Sequence, residues 1–314
     1  MPRDIPFDGA FICEDTVMSK KQIAKWIGHN TSSLVGKTVA VTGTTGGIGR
    51  ELCCELAELG ASLILMDRCA ARSKSFRDEL ILRYGVTVRC VGVELENMDS
   101  VRAACERLRD EPVDIFIHNA GAYSIPRHKC STGLDNVYQI NFASPYYMIR
   151  ELLPQLGERQ GRVVVVGSIA HNYSHADFED VDFSTRRAAS KVYGNAKRYL
   201  MFSLYELMAR ETGVRLAVTH PGITQTNITA HYPKVIYAVI KHPMRVIFMR
   251  PRKACLSILR GVFEDCAYHE WIGPCIFDVW GLPKKKKLRT CSVDESRRIG
   301  EIAEKIYRSM KDAR

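Results

Sequence analysis

Three residue pairs in this 314-residue sequence have the form Tyr-x-x-x-Lys, a spacing suited to acid–base chemistry. A free phenol has a pKa of about 10 and is a poor acid or base at neutral pH, but a nearby ammonium group lowers that pKa. Tyrosine and lysine four residues apart lie on one face of a helix, close enough to couple. The pairs are Tyr193/Lys197, Tyr237/Lys241 and Tyr307/Lys311. Chance alone would give roughly one such pair, so the spacing by itself decides nothing.

The surroundings of Tyr193 and Lys197 favour this pair over the other two. An apolar run, Arg162–Val166, is predicted to form a strand, and Ser168 follows its end. A serine at the carboxyl end of such a strand lies at the sheet edge where ligands bind, although alone it would be interpreted as capping a turn. The other two pairs have no serine-ending strand before them. We interpret them as chance matches.

A glycine-rich turn near the start of the chain is suited to a dinucleotide. The predicted strand Thr38–Thr42 runs into this turn, and a helix begins directly after it. Glycines let the backbone approach a pyrophosphate, and the helix N-terminus offers free N–H groups to negative charge; a plain tight turn is the alternative. The candidate contacts are Gly43, Thr45, Gly47, Ile48 and Gly49.

An acidic residue at the end of the second predicted strand supports the dinucleotide interpretation. Asp67 lies 24 residues after Gly43, and the acid that binds the adenosine ribose is usually about 20 residues on. A carboxylate there accepts hydrogen bonds from the ribose hydroxyls and repels a 2′-phosphate, whereas Arg68 would attract one. We therefore expect NAD as the cofactor, with NADP left open through Arg68, which could instead be a solvated loop cation.

Short apolar runs alternate with amphipathic stretches from Lys37 onward, the pattern of βα units and a parallel sheet. The predicted strands are Thr38–Thr42, 62–66, 86–91, 113–118, Arg162–Val166 and Arg215–Thr219. The predicted helices are 49–59, 99–110, 134–153, 188–211 and 292–314. We expect one α/β domain over residues 37–314, preceded by an extension, residues 1–36, with a short helix near 19–27.

Composition and charge exclude several classes of protein. Hydrophobic residues make up 46% of the chain and charged residues 25%, which is typical of a globular domain. The eleven cysteines are irregularly spaced with no C-x-x-C pair, so we expect neither a disulfide framework nor a metal site. The sequence predicts neither a secretory signal nor a membrane-spanning segment. We expect a cytoplasmic protein that at most lies on a membrane surface.

The glycine turn, the Tyr-x-x-x-Lys pair that begins at Tyr193 and the His-Asn-Ala-Gly segment at 118–121 together resemble the short-chain dehydrogenase/reductase family. That family has Asn-Asn-Ala-Gly in the last segment, so His118 is a departure. The resemblance covers about residues 36–230 and is nearest to the retinol-dehydrogenase-like subgroup. It implies a Rossmann-type, doubly wound sheet of seven parallel strands with helices on both faces. It also implies hydride transfer between a nicotinamide cofactor and an alcohol or carbonyl.

The resemblance assigns catalytic roles to four residues. It implies that Tyr193 is the general acid for reduction and the base for oxidation, that Lys197 lowers its pKa and binds the nicotinamide ribose, and that Ser168 polarises the carbonyl. Asn141, inside the predicted helix 134–153, corresponds to an asparagine that kinks this helix and holds a proton-relay water; a solvated polar residue is the alternative. The further implied cofactor contacts are Glu94, Asn119, Ala120, Gly121, Pro221, Gly222, Thr224 and Thr226.

The segment at residues 227–250 is apolar as well as basic, and no acidic residue occurs between Glu211 and Glu264. We interpret it as a lid over a lipophilic alcohol, ketone or aldehyde of steroid, retinoid or long-chain type, with peripheral membrane contact through residues 232–253. A core-packed segment with solvated cations is the alternative. The four lysines at 284–287 predict a solvated loop rather than a nucleic-acid site.

Two expectations concern the whole molecule. The resemblance implies a homodimer or homotetramer, with helices such as those predicted at 134–153 and 188–211 pairing between subunits. A catalytically inactive dinucleotide sensor or scaffold of the same fold is the alternative to an enzyme. The four catalytic residue types are all present, which favours the enzyme.

Overall fold

The computed structural model describes residues 20–210, 213–224 and 249–313, and its central feature is an eight-stranded sheet. The strands are β1 Thr38–Thr42, β2 Ser62–Asp67, β3 Val88–Gly92, β4 Ile115–His118, β5 Arg162–Val166, β6 Arg215–Thr219, β7 Glu270–Ile276 and β8 Trp280–Lys287. Their order across the sheet is β3-β2-β1-β4-β5-β6-β7-β8. Strands β1 to β7 run parallel, and β8 is antiparallel to β7.

Helices cover both faces of the sheet. They are α1 Lys20–Asn30, α2 Gly47–Glu58, α3 Ala70–Tyr84, α4 Met98–Arg109, α6 Ala189–Met208, α7 Pro251–Phe263 and α8 Val293–Asp312. Between α4 and α6 lies α5, which consists of Asn136–Tyr138, the π-helical segment Gln139–Ala143 and Ser144–Glu158. One core cluster joins the sheet to α4, α5, α6 and α8, and a second joins it to α1, α2, α3 and α7. Successive valines of β5 enter opposite clusters, as in a strand buried on both faces.

The chain reverses its direction of winding between β1 and β4, which are neighbours in the sheet. Strands β2 and β3 lie on one side of this point and β5 to β7 on the other. The loops that leave β1 and β4 therefore diverge and open a crevice at the carboxyl edge, where open α/β sheets bind their ligands. The glycine turn and the segment 118–121 both lie at this edge.

The predicted α/β fold and its seven parallel strands are confirmed, with three corrections. The six strands located from sequence are present, but β7 was not located and the antiparallel β8 was not expected. The lysines at 284–287 lie on β8, so their prediction as a loop is wrong. They occupy the edge of the sheet, where lysine and proline discourage pairing with another chain. Helices α3 and α7 were also not predicted.

Helix α8 packs against α5 and α6, and the predicted C-terminal helix is confirmed. It is capped by Ser292, whose hydroxyl accepts a hydrogen bond from the Glu295 amide. Its buried side chains, among them Ile299 and Ala303, belong to the same core cluster as α5 and α6. Helix α8 thus covers part of the surface of α5 and α6, and the pairing of these helices between subunits stays a prediction. None of the described helices is long and apolar enough to cross a bilayer.

Candidate active site

The glycine turn brings the end of β1 against the end of β4. Gly43 has a φ of +73°, and a Cβ added to it would lie 2.9 Å from Ala120 Cα. A Cβ on Gly49 would lie 2.1 Å from the Gly43 carbonyl oxygen, so only glycine lets α2 start this close to the turn. Asn119 Nδ2 donates to the carbonyl oxygens of Thr42 and Gly43 at 3.1 and 3.0 Å. The turn is thus packed closely between the loop after β4 and the N-terminus of α2, whose free N–H groups are suited to a pyrophosphate.

Asp67, the last residue of β2, lies beneath this turn and is 8% exposed. Its carboxylate accepts hydrogen bonds from the Thr44 hydroxyl, from the Thr45 amide and hydroxyl at 3.2 Å, and from the Ser73 hydroxyl at 3.3 Å. These donors use the roughly four acceptor positions of a carboxylate, so ribose hydroxyls must displace some of them. Arg68 is exposed beside it.

The remaining adenosine-side residue, Glu94, lies just beyond β3 rather than at its end. Its side chain is exposed, and its backbone amide donates to the Ser100 hydroxyl at 2.9 Å. Gly47 is exposed and Ile48 half-buried at the start of α2. They stand at the same carboxyl edge of the sheet as Asp67, as the sequence predicted.

Ser168 and Tyr193 meet across the next crossover. Ser168 follows β5 and caps the 3₁₀ turn Ile169–Tyr173, its hydroxyl accepting from the Ala170 amide at 3.2 Å. Tyr193 lies in the second turn of α6 and is partly buried. Burial raises the pKa of Tyr193 to about 12, and the nearby Ser168 hydroxyl opposes the rise. The serine hydroxyl therefore lies close to the phenol.

The proximity of Ser168 and Tyr193 depends on the residue after the tyrosine. A Cβ added to Gly194 would lie 2.1 Å from the Ala170 carbonyl oxygen and 2.9 Å from its carbon. No real side chain fits at that distance, so a glycine is needed for α6 to pack directly on the turn that carries Ser168. Gly194 has no signal in the sequence, since a glycine inside a helix gives no sign of the backbone that approaches it.

Lys197 lies one helical turn after Tyr193 and is 1% exposed. Its Nζ donates to the carbonyl oxygen of Val166, at the end of β5, at 2.8 Å. Nζ lies 5.7 Å from the centre of the Tyr193 ring. Burial lowers the pKa of Lys197 to about 7. The ammonium is thus close enough to stabilise a phenolate through space.

Asn141 is fully buried in the π-helical segment of α5. Its Nδ2 donates to the carbonyl oxygens of Val137 and Ala122, both at 2.8 Å, and its Oδ1 accepts from the Ala122 amide at 3.2 Å. The side chain thus replaces a backbone donor to Val137 and ties α5 to the loop after β4. π-Segments of this kind are frequent at functional sites. The π-helical segment lies where the sequence predicted a kink.

Gly121 brings the loop after β4 close to both Asn141 and Lys197. A Cβ added to Gly121 would lie 2.8 Å from Asn141 Oδ1 and 3.5 Å from Lys197 Nζ. The structure therefore brings Ser168, Tyr193, Lys197 and Asn141 to one region, beside the loop that contains Asn119, Ala120 and Gly121.

Pro221, Gly222 and Thr224 follow β6 and are buried. Thr224 forms an isolated bridge with Met249, and a Cβ on Gly222 would lie 2.7 Å from the Val279 carbonyl oxygen in the β7–β8 turn. Residues 225–248 lie outside the described part of the chain. They include Thr226, nearly all of the lid predicted at 227–250, most of the predicted membrane-contact segment and the pair Tyr237/Lys241.

Tyr307 and Lys311 are coupled to each other, but not to this site. Lys311 Nζ donates to the Tyr307 hydroxyl at 2.9 Å, and that hydroxyl donates to Glu151 on α5 at 2.7 Å. Glu151 also pairs with Arg109 on α4 at 2.7 Å. The network joins α8 to α4 and α5, so its physical role is to hold these helices together.

Aromatic and apolar side chains surround the exposed side of Tyr193. The Tyr123 ring packs edge-on against the Tyr193 ring, with centroids 5.3 Å apart. Ile125 and Tyr193 pack against a small cluster that contains Phe183 and Val192. A carbonyl that reaches Tyr193 therefore meets apolar surface on its protein side.

A buried ion pair behind the site was not predicted. Arg198, the residue after Lys197, is 1% exposed and donates to Glu295 Oε1 and Oε2 at 2.8 and 2.7 Å. It also donates to the carbonyl oxygens of Thr290 and His171 at 2.5 and 3.1 Å. The pair joins the catalytic helix α6 to the start of α8. Its members are 97 residues apart, and neither has a local sequence signal.

Comparison with known proteins agrees with this architecture. The short chain dehydrogenase family pattern matches residues 37–235, and the chain belongs to this family. Human retinol dehydrogenase 13 is 31% identical over 210 residues, which are 64% of this chain and 62% of that protein. Mouse retinol dehydrogenase 14 is 30% identical over 273 residues, 77% of this chain and 82% of that protein. The matched stretch thus spans less than two thirds of the human relative.

Two solved structures share the fold. An uncharacterised protein from Mycobacterium paratuberculosis has a TM-score of 0.69 at 21% identity, covering 89% of this chain and 96% of that one. A 3-oxoacyl (acyl-carrier-protein) reductase from Agrobacterium tumefaciens, solved with NADP bound, has a TM-score of 0.58 at 23% identity, covering 74% of this chain and 88% of that one. The predicted resemblance to retinol-dehydrogenase-like members of the family is confirmed.

Proposed function

We propose that this protein is an NAD(P)-dependent oxidoreductase that transfers a hydride between the nicotinamide ring and a lipophilic alcohol or carbonyl. The observation that carries the proposal is the close packing of α6 on the turn of Ser168, which brings the Tyr193 phenol near the Ser168 hydroxyl, with the buried Lys197 side chain on the same helix face. This group lies at the carboxyl edge of the sheet, as does the glycine turn. Family membership supports it.

The protein side of the reaction follows from these three groups. In reduction, Tyr193 gives its proton to the substrate oxygen while Ser168 donates a hydrogen bond to the same oxygen. A pKa of about 12 keeps the phenol protonated at neutral pH, the form that reduction requires. In oxidation the phenolate accepts the proton, and the charge on Lys197 stabilises it. The bound nicotinamide supplies or accepts the hydride.

The residues present fit a dinucleotide. Gly43 and Gly49 let the turn pack tightly at the start of α2. The first N–H groups of this helix, with Thr45, Gly47 and Ile48 beside them, would bind a pyrophosphate. The loop at 119–121 and the segment at 221–226 would hold the adenosine and nicotinamide sides. We favour NAD over NADP, because the negative charge of Asp67 repels a 2′-phosphate even while its oxygens accept hydrogen bonds from the glycine turn. The positive charge of Arg68 would instead attract that phosphate and favour NADP.

The substrate class is argued from the surface beside Tyr193. Tyr123 and Ile125 present an aromatic ring and an aliphatic chain next to the phenol, which suits a retinoid, steroid or long-chain alcohol better than a sugar. Relatives named retinol dehydrogenase point the same way. A dinucleotide sensor without turnover is the second candidate, and it predicts cofactor binding alone.

The test compares two tyrosine variants, each with a lysine four residues on. Tyr193→Phe should lower kcat by roughly 10²- to 10⁴-fold, because it removes the general acid, whereas Tyr307→Phe should leave kcat within twofold. Both are assayed by nicotinamide absorbance with NADH and NADPH against retinoid, steroid and aliphatic carbonyls, and cofactor binding is measured by fluorescence. Wild-type turnover in Tyr193→Phe would refute the proposal. Cofactor binding without turnover on any substrate would favour the sensor.

A further inference from the structure

His118 is the residue at which this chain departs from the Asn-Asn-Ala-Gly pattern, and in the sheet it pairs with the residue before the one that Lys197 contacts. It ends β4 and is fully buried on the sheet face that α5 and α6 cover. In the sheet it is paired with Thr42 of β1 and Val165 of β5. Lys197 Nζ bonds to Val166, one residue farther along β5. The charge of Lys197 accordingly acts on the imidazole.

The hydrogen bonds of Thr42 fix the tautomer of this histidine. The Thr42 hydroxyl oxygen accepts from the amides of Asn119 and Ala120, each at 3.1 Å. A hydroxyl has two acceptor positions and one proton, so the proton must be donated to His118 Nδ1, which lies 3.1 Å away. Because Nδ1 accepts, the ring proton is on Nε2. Burial, and then the Lys197 charge, hold the pKa of His118 well below its ordinary value, so the ring is neutral.

The Nε2–H group is buried and has no partner in the part of the chain that the structure describes. A buried donor without a hydrogen-bond partner lowers the folding stability by about 1–3 kcal/mol. Buried water molecules are the usual partners of such groups, and each makes roughly three hydrogen bonds to polar neighbours. The polar groups described on this side of the sheet include Lys197, Asn141 from α5, and the unpaired hydroxyls of Tyr138 and Tyr199. Of these, Lys197 and Asn141 both lie beside the Cβ-free Gly121.

We infer that His118 holds a water molecule which it shares with Lys197, donating to that water through Nε2–H while the ammonium donates to its second acceptor position. His118 is then a positioning residue in the proton path behind Tyr193. The inference rests on the proposed function. It goes beyond that function because the histidine replaces an asparagine and has no role in the four-residue mechanism.

The consequence concerns the charge on Lys197. The titratable groups that face its ammonium are Tyr193 from α6 and His118 from β4, while Asn141 from α5 does not titrate. A water held against Nζ replaces part of the lost hydration and favours the charged amine. Without this water the amine is neutral over more of the pH range, and the phenolate of Tyr193 is less stabilised.

The first test is the pH dependence of alcohol oxidation by the holoenzyme. His118→Leu removes the donor and should lower kcat about tenfold. The pH at which kcat reaches half of its maximum should increase by about 0.5–1 unit, and the KM for cofactor should change less than twofold. His118→Asn keeps an amide donor and should restore the wild-type profile. Tyr199→Phe, which removes another unpaired buried hydroxyl on α6, is the matched control and should overlay the wild type.

Two results would overturn the inference in these variants. One is a wild-type profile in His118→Leu, even with lowered thermal stability, since that shows a packing role alone. The other is an Asn variant as displaced as the Leu variant, since then the donor is not what matters.

The second test needs no variant and no turnover. ¹⁵N chemical shifts of histidine-labelled wild-type protein with cofactor bound distinguish a proton on Nε2 from one on Nδ1. We expect a neutral His118 protonated at Nε2 from pH 5 to pH 8, and a proton on Nδ1 would overturn the inference. This result stands even if Tyr193→Phe disproves the proposed function, so the two failures are distinguishable.

Discussion

The ion pair between Arg198 and Glu295 gives a quantitative prediction about how the catalytic helix is held. Glu295→Gln would remove the charge that faces a guanidinium group with a side-chain exposure of 1%, while Glu295 itself is 15% exposed. Arg198 would keep its bonds to the carbonyl oxygens of Thr290 and His171, but no anion would remain. The variant therefore leaves an uncompensated charge between α6 and α8.

The size of the effect follows from the burial of both partners. Breaking a buried pair costs about 3–5 kcal/mol, and glutamine still offers one acceptor oxygen, so we expect about 3 kcal/mol, or roughly 6 °C in Tm for a chain of this length. The matched control is Asp294→Asn, one residue earlier on α8. Asp294 is 88% exposed and its pair with Arg297 is 3.3 Å long, so its loss should cost less than about 0.5 kcal/mol.

The pH dependence of the same variant has a defined sign. Burial tends to raise the pKa of Glu295, but the hydrogen bond with Arg198 prevails and the pKa is lowered. The carboxylate therefore stabilises the fold above its unfolded pKa of about 4.3, and that contribution is lost as pH falls through the lower folded value. In thermal melts the wild type should exceed Glu295→Gln at pH 7, and the difference should shrink below pH 4. Equal melting temperatures for Glu295→Gln and Asp294→Asn at pH 7 would refute the reasoning.

Two further predictions concern the cofactor and the catalytic geometry. Asp67→Ala should raise the ratio of kcat/KM for NADPH to kcat/KM for NADH by roughly 10- to 100-fold, because one repulsive charge is removed. Arg68→Ala should lower the same ratio. An unchanged ratio in Asp67→Ala would exclude Asp67 from the ribose site. Gly194→Ala should lower kcat by about 100-fold, because α6 must move off the Ser168 turn, with NADH affinity unchanged by fluorescence titration. Gly28→Ala, at a helical glycine with nothing within 4 Å, is its control; equal kcat in both variants would contradict the steric argument.

The regular strands were predictable because burial on both faces leaves a strong local signal. Residues of β5 are four consecutive valines after Arg162, and its predicted bounds are those of the structure. Strand β7 contains Gly273 and Pro274, which usually mark turns, and β8 contains four lysines. Their pairing depends on the sheet edge they extend, which local composition does not encode. Helix α3 was missed since its outer face carries apolar residues such as Leu82, which is 90% exposed.

The proposed catalytic side chains could be selected by their order along the chain, but the contacts that support them could not be predicted. The positions of Ser168 and Tyr193 followed from one strand end and one helix. The partners of Asp67 within the glycine turn and the hydrogen bonds of Thr42 depend on three strands meeting at one edge. Such contacts join residues far apart in sequence, and only the folded chain shows them.

Gly194 has an evolutionary consequence for this site. The atoms nearest to Gly194 belong to the backbone of Ala170. A larger residue at 194 therefore cannot be compensated by a shorter neighbouring side chain. Under the proposed function, substrate preference could change through Tyr123 or Ile125, whose side chains can be exchanged one at a time. The spacing of the reacting hydroxyls cannot change by such steps, and we expect variation among close relatives to be confined to the walls around them.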